Sequence, residues 1–330
     1  MSSNISVIGA GSWGSALAQV AASHGDVSLW ARSPELAEQI NALRVNEKYL
    51  AGIELSSHII ATSDLKTAMQ RDILLIVTPA QAMRQVLSDM LPFIRNNHKL
   101  VLCSKGIELN TGMLMSDIAK EILPKTPIAV LTGPNFAHEI AIGKPAATTL
   151  ACTDAEIAKI LQKAIASTNF RPYISNDIIG AQLAGALKNI IAIACGIAHG
   201  MDMGESARAS LVTRGLAEIA RLGVAMGARS DTFLGLCGVG DMMLTCSSQK
   251  SRNFSLGYEL GQGNTLKEIM NARQNVTEGV HTAKAAIKLA NKYRVEMPIN
   301  MAVNKCLNEG LSPKDAVKEM LTRPLGYENI

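Results

Sequence analysis

Three glycines near the start constrain what this chain can fold into more than any other feature. Gly9-Ala10-Gly11-Ser12-Trp13-Gly14 follows a short β-branched run, Ile5 to Gly9, and leads into an alanine-rich stretch, Ser15 to Ser23, that reads as a helix. A G-x-G-x-x-G pattern by itself is only a glycine-rich turn. Between a strand and a helix each glycine acquires a task. Gly9 makes the tight turn, Gly11 lets backbone approach a pyrophosphate, and Gly14 permits close helix–strand packing. The helix start adds free N–H groups and partial positive charge for phosphate. The expectation is a dinucleotide-binding turn.

The end of the second strand, Val27 to Trp30, bears on which dinucleotide. A carboxylate about twenty residues beyond the glycines would hold a ribose 2′-hydroxyl. The sequence instead reads Leu29-Trp30-Ala31-Arg32-Ser33. A permanently charged, fork-shaped guanidinium beside a hydroxyl suits a 2′-phosphate. The bland alternative is a solvated surface arginine. NADP(H) is therefore the expected preference, with NAD(H) accepted.

Strand and helix patterns continue to alternate. Ile73 to Val77, Leu100 to Cys103 and Ile128 to Leu131 read as strands, and Ala80 to Met90 as a helix. A helix at Asp154 to Ala166 and a strand at Phe170 to Ile174 close this half. Such alternation implies a parallel-rich sheet covered by helices on both faces, a Rossmann-type α/β domain. From Asn176, a plausible N-cap, the pattern turns helical: to Ala198, then about 206–226, 251–260, 280–291, 299–309 and 312–322. The 330 residues thus divide into an N-terminal domain, 1–178, and an all-helical domain, 179–330.

Composition excludes several classes. Hydrophobic residues at 48% and charged residues at 18% are wrong for a disordered chain. A net charge of +4 without clustering is no nucleic-acid footprint. The longest apolar run, Ile190 to Ala198, is too short to suggest a membrane span, and Met-Ser-Ser-Asn lacks the basic start of a signal peptide. Six scattered cysteines and unpaired histidines point to a reducing compartment and to no metal site.

Three polar groups interrupt the helical half. Lys188 lies midway along a helix that is apolar on nearly every face, in Leu183-Ala-Gly-Ala-Leu-Lys188-Asn189-Ile-Ile191. Desolvation there lowers a lysine pKa and makes it a proton donor or acceptor; snorkelling to solvent is the alternative. Gly238-Val-Gly240-Asp241 sets a turn and a helix start, with Asp241 and Thr245 one turn apart on one face. Asp241 alone would read as an N-cap. Ser251-Arg252-Asn253 opens another helix, as a phosphate cradle or as a cap with a solvated arginine.

Gly-x-Gly-x-Trp-Gly, Ser104-Lys105-Gly106, Gly133-Pro134-Asn135-Phe136-Ala137, Gly-Ala-Leu-Lys-Asn, Thr213-Arg-Gly-Leu216, Gly-Asp…Thr-Cys and Ser-Arg-Asn occur in order from Ile5 to about Thr322. This set resembles the NAD(P)-dependent glycerol-3-phosphate dehydrogenases of the bacterial soluble type. The resemblance implies a 6-phosphogluconate-dehydrogenase-like pair of domains and reversible reduction of dihydroxyacetone phosphate to sn-glycerol 3-phosphate. It implies Lys188 as general acid and base, with Asn189, Asp241, Thr245 and a second lysine, Lys105, beside it. Lys105, Gly133, Asn135, Lys188, Asp241, Ser251, Arg252 and Asn253 match substrate positions. Gly9, Gly11, Ser12, Trp13, Gly14, Arg32, Lys105, Ala137, Arg252, Val276 and Glu278 match positions lining the dinucleotide. A cytoplasmic homodimer serving phospholipid synthesis is also implied, without nucleic-acid or membrane partners. Two departures stand out: Asn135 where a short hydroxyl is common, and His199 where aspartate is usual. A ketopantoate reductase or a non-catalytic dinucleotide sensor would share the glycine turn.

Overall fold

The computed structural model describes residues 4–273, 278–325 and 327. These cluster into two compact units: one of residues 4–104 and 115–178, the other of 105–114 and the described residues from 179 onward. The segment 105–114 belongs to the second unit, whereas the sequence reading leaves it in the first.

The first unit carries ten strands among its described residues: β1 (Ile5–Ile8), β2 (Val27–Trp30), β3 (Val45–Asn46), β4 (Leu50–Glu54), β5 (Ile59–Thr62), β6 (Ile73–Ile76), β7 (Lys99–Leu102), β8 (Ile128–Thr132), β9 (Ala146–Ala151) and β10 (Phe170–Ser175). Eight form one sheet in the order β10-β9-β8-β7-β6-β1-β2-β5, while β3 and β4 make a separate hairpin. Every pairing in the large sheet is parallel except β8 with β9. The strands are short apolar runs; β1 and β6 are buried along their whole length, as expected of strands covered on both faces. The order places β1 between β2 and β6. Successive connections leave β1 in opposite directions there, which opens a crevice at the carboxyl ends of the strands.

Among the described residues seven α-helices accompany this sheet: α1 (Ser12–Ala21), α2 (Pro34–Leu43), α3 (Leu65–Ala68), α4 (Met83–Met90), α5 (Met115–Ile122), α6 (Ala137–Ala141) and α7 (Ala155–Ile165). Ser33, Asp64 and Asp154 cap α2, α3 and α7 through their side-chain oxygens. Helix α1 begins at Ser12, three residues before the Ser15 expected from the sequence. The glycine turn passes into the helix without a linker.

The second unit contains α8 (Ile178–Gly200), α9 (Glu205–Ala225), α10 (Asp241–Cys246), α11 (Arg252–Gly261), α12 (Leu266–Ala272), α13 (Glu278–Tyr293), α14 (Pro298–Asn308) and α15 (Pro313–Leu321). Helix α8 starts two residues beyond the Asn176 cap that the sequence suggests. It is long and apolar enough to cross a membrane, but 94% of its most apolar window is buried inside the protein. Glycine accounts for how closely α11 approaches it. A Cβ on Gly196 would stand 2.1 Å from the Phe254 carbonyl oxygen, and one on Gly257 would stand 2.1 Å from that of Ile193. Backbones in contact fix the start of α11 beside the middle of α8. Residues 105–114 join the same core through Ile107 and Leu114, and Lys288 Nζ donates to the Leu109 carbonyl at 3.0 Å.

Candidate active site

In the second unit, one buried carboxylate gathers two ammonium groups. Asp241 opens α10 after a wide turn, Leu236–Gly240, in which the Gly240 N–H reaches back to the Gly235 carbonyl. A Cβ on Gly238 would lie 2.0 Å from the Phe233 carbonyl oxygen, so only glycine passes there. Asp241 does not cap its helix. Its Oδ1 accepts from Lys188 Nζ, and its Oδ2 accepts from Lys105 Nζ at 2.9 Å. Lys188 also donates to Thr245 Oγ1 at 2.7 Å, and that hydroxyl lies 3.3 Å from Asp241 Oδ1.

Lys188 is 6% exposed and Asp241 is fully buried, whereas the Lys105 side chain remains 21% exposed. The lysine therefore does not snorkel. Burial pushes the Lys188 pKa down to about 8; the Asp241 carboxylate opposes this and the Lys105 charge adds to it. A lysine half-charged near pH 8, held by a carboxylate and a hydroxyl, can both give and take a proton.

A second network starts at the next residue along α8. Asn253 Nδ2 donates to Asn189 Oδ1 at 3.0 Å, and Asn253 Oδ1 accepts from the Gly279 N–H at 3.1 Å. Asn253 thus ties α8, α11 and α13 together, and its carboxamide is largely spent on that. Ser251 Oγ accepts from the Phe254 N–H at 3.2 Å, so its hydroxyl caps α11. The exposed residue at this helix start is Arg252. Glu278 lies close enough to favour its charge, and Arg273 opposes it. Val276 lies outside the described residues.

The first unit is a fitting cradle for a dinucleotide. Gly9 has φ +123°, and a Cβ there would stand 2.7 Å from the Val77 carbonyl oxygen. A Cβ on Gly14 would fall 1.7 Å from the Gly9 carbonyl oxygen, while one on Gly11 would meet nothing within 4 Å. Backbone crowds two of the glycines and open space faces the third, as close approach of a pyrophosphate at Gly11 requires. No side chain caps α1, which leaves its first N–H groups available.

Other expected residues are distributed around this turn. Ser12 Oγ donates to the Tyr49 carbonyl at 2.5 Å, and the Trp13 ring packs at 6.4 Å from that of Phe170. Ala137 begins α6. Arg32 is exposed beyond β2 and makes no ion pair among the described residues. The Ser33 hydroxyl, expected to assist it, instead accepts from the Leu36 N–H and donates to Glu35. It is committed to starting α2. Beyond β8, a Cβ on Gly133 would lie 2.8 Å from Thr148 Oγ1, and Asn135 Nδ2 donates to that same hydroxyl at 3.1 Å.

Comparison with known proteins matches both halves of the chain to one family. Residues 4–158 fit the model of the NAD-dependent glycerol-3-phosphate dehydrogenase N-terminus, and residues 177–318 fit that of its C-terminus. The chain belongs to the NAD-dependent glycerol-3-phosphate dehydrogenase family. It is 52% identical over 325 residues to the glycerol-3-phosphate dehydrogenase [NAD(P)+] of Parvibaculum lavamentivorans, covering 98% of each chain. Identity to the Rhodospirillum rubrum protein of the same name is 48%, over 98% of this chain and 94% of the other. A glycerol-3-phosphate dehydrogenase structure from Coxiella burnetii superposes with a TM-score of 0.93 at 37% identity, covering 97% of this chain and 98% of that one.

In this family member, two site-supporting residues escape sequence reasoning. Asn46, fully buried on the hairpin, donates from Nδ2 to the Ala10 carbonyl at 2.9 Å and to Ser15 Oγ at 2.8 Å, bracing the glycine turn. Arg273 donates to the Arg252 carbonyl at 2.8 Å, to Ser255 Oγ at 2.9 Å and to Glu259 at 2.5 Å, bracing the start of α11. Neither belongs to a recognisable motif. Each braces its turn partly through a backbone carbonyl, a group with no sequence signature.

Proposed function

We propose that the chain catalyses reversible NAD(P)H-dependent reduction of dihydroxyacetone phosphate to sn-glycerol 3-phosphate. The observation that carries the reading is the buried Lys188 ammonium held by Asp241 and Thr245 beside Lys105. When bound, NAD(P)H supplies a hydride for the ketone carbon. Lys188 stabilises the charge that builds on the ketone oxygen and delivers the proton; in reverse its neutral amine takes the alcohol proton. With its pKa at about 8, both forms are accessible.

Asp241 keeps two ammonium groups together that would otherwise repel, and it orients Lys188. Thr245 fixes the direction of the same nitrogen. Lys105 supplies a second positive charge for a dianionic substrate. The phosphate is held by Arg252 and the first N–H groups of α11, while Ser251 caps that helix and Asn253 with Asn189 aligns it. Binding at this non-reacting group orients the ketone. Gly133 and Asn135 are further substrate positions.

Gly9, Gly11, Ser12, Trp13, Gly14, Arg32 and Ala137 would hold the dinucleotide, with Lys105, Arg252 and Glu278 as contributors. Arg32 makes NADP(H) the preferred form through its charge on the 2′-phosphate. The proposal includes a cytoplasmic homodimer whose product enters phospholipid synthesis.

The deciding experiment follows NADPH oxidation by the purified chain with dihydroxyacetone phosphate, with ketopantoate, and again with NADH. Turnover of dihydroxyacetone phosphate alone, faster with NADPH, supports the reading. Preference for ketopantoate, or NADPH binding without turnover of any ketone, overturns it.

A further inference from the structure

Four buried side-chain oxygen atoms among the described residues have no hydrogen-bond partner: Thr78 Oγ1, Thr132 Oγ1, Asn135 Oδ1 and Asn300 Oδ1. Three of the four follow or end β6 and β8, at the carboxyl edge of the parallel strands. A buried hydroxyl left unpaired is costly, and native proteins keep few of them. Their gathering at the edge where open α/β sheets bind ligands argues that a ligand completes them.

Thr78 is the best situated. It is 7% exposed and stands two residues beyond β6, against the glycine turn. A Cβ on Gly9 would lie 2.7 Å from the Val77 carbonyl oxygen and 3.4 Å from the Thr78 nitrogen. Its backbone carbonyl is already satisfied, since Ser104 Oγ donates to it at 2.5 Å. The side-chain hydroxyl is left without a partner.

Sheet order decides which half of a dinucleotide it faces. Arg32 follows β2 on one side of β1, and Thr78 follows β6 on the other side. If Arg32 holds the adenosine 2′-phosphate, the far side of the glycine turn receives the other half. We propose that the Thr78 hydroxyl is a hydrogen-bonding site for the nicotinamide nucleotide half of the cofactor. This rests on the dinucleotide reading above and adds a residue that no motif in the sequence marks.

The test uses Thr78→Val, which removes the hydroxyl at nearly constant shape, and Thr78→Ser, which retains it. Dissociation constants are measured for NADPH and for adenosine 2′,5′-bisphosphate, which lacks the nicotinamide half, together with the Tm of the ligand-free proteins. Loss of one hydrogen bond weakens NADPH binding to Thr78→Val by roughly two- to twelve-fold. Thr78→Ser stays near wild type, the bisphosphate binds all three proteins equally, and the ligand-free Tm of Thr78→Val does not fall. NADPH affinity unchanged in Thr78→Val, or a lowered Tm showing that the fold itself uses the hydroxyl, overturns the proposal. Equal weakening toward the bisphosphate assigns the contact to the wrong half and also overturns it. Failure of the wild-type protein to bind NADPH at all would instead sink the dinucleotide reading on which this one stands.

Discussion

Lys188 shows how one buried atom acquires chemistry from its surroundings. Burial lowers its pKa from an ordinary 10.5 to about 8, and Asp241 prevents a further fall. The protonated form, the proposed acid for ketone reduction, dominates below about 8. The rate constant kcat/KM for reduction should therefore decline as pH rises through 8, while that for alcohol oxidation should rise. In Asp241→Asn the opposing carboxylate is gone, so the declining limb should move to lower pH and kcat should fall by roughly a hundredfold or more. A profile in which Asp241→Asn leaves the limb in place would separate Asp241 from Lys188. The same shift has a stability sign. Because the folded pKa lies below the unfolded one, the unfolded chain holds this proton more tightly between pH 8 and 10.5. The contribution of Lys188 to stability should rise with pH across that window.

At the scale of elements, the pairing of α8 with α11 sets the position of the proposed phosphate site relative to Lys188. Gly196 and Gly257 allow backbone to touch backbone. Gly196→Val has no space to occupy and should destabilise the protein by about 3 kcal/mol or more, read from urea unfolding. A loss under about 1 kcal/mol would mean that the two helices separate freely. Most of these elements can be read in the sequence, because a fully apolar run such as Ile73–Ile76 and a long, almost wholly apolar one such as residues 178–200 have few alternatives. What sequence reasoning passes over has physical causes. β9 reads Ala-Ala-Thr-Thr-Leu-Ala, half of it alanine, which is depleted in strands, and its antiparallel pairing with β8 breaks the βαβ rhythm. The β3–β4 hairpin and β5 are short and partly exposed, so their alternation is weak. The catalytic candidates were legible as polar interruptions in apolar helices. Asn46 and the second-unit membership of residues 105–114 were not, since both depend on contacts distant in sequence.

Over the whole molecule, the two units divide the proposed work: glycine turn and Arg32 in the first, lysines and α11 in the second. Arg32→Ala should lower kcat/KM for NADPH by roughly 10- to 100-fold, the value of a charge-assisted hydrogen bond. Its effect on NADH should stay within about threefold; equal losses with both would show that Arg32 does not meet a 2′-phosphate. The account as a whole depends on the hidden ammonium of α8 doing acid–base chemistry on a ketone. The most direct measurement is dihydroxyacetone phosphate reduction by Lys188→Gln, followed with NADPH across pH 6 to 10 beside the dissociation constant for NADPH. The expected result is a loss of roughly a thousandfold or more in kcat, no remaining limb near pH 8, and NADPH affinity within a few-fold of wild type. Retention of near wild-type kcat with the limb intact would contradict it.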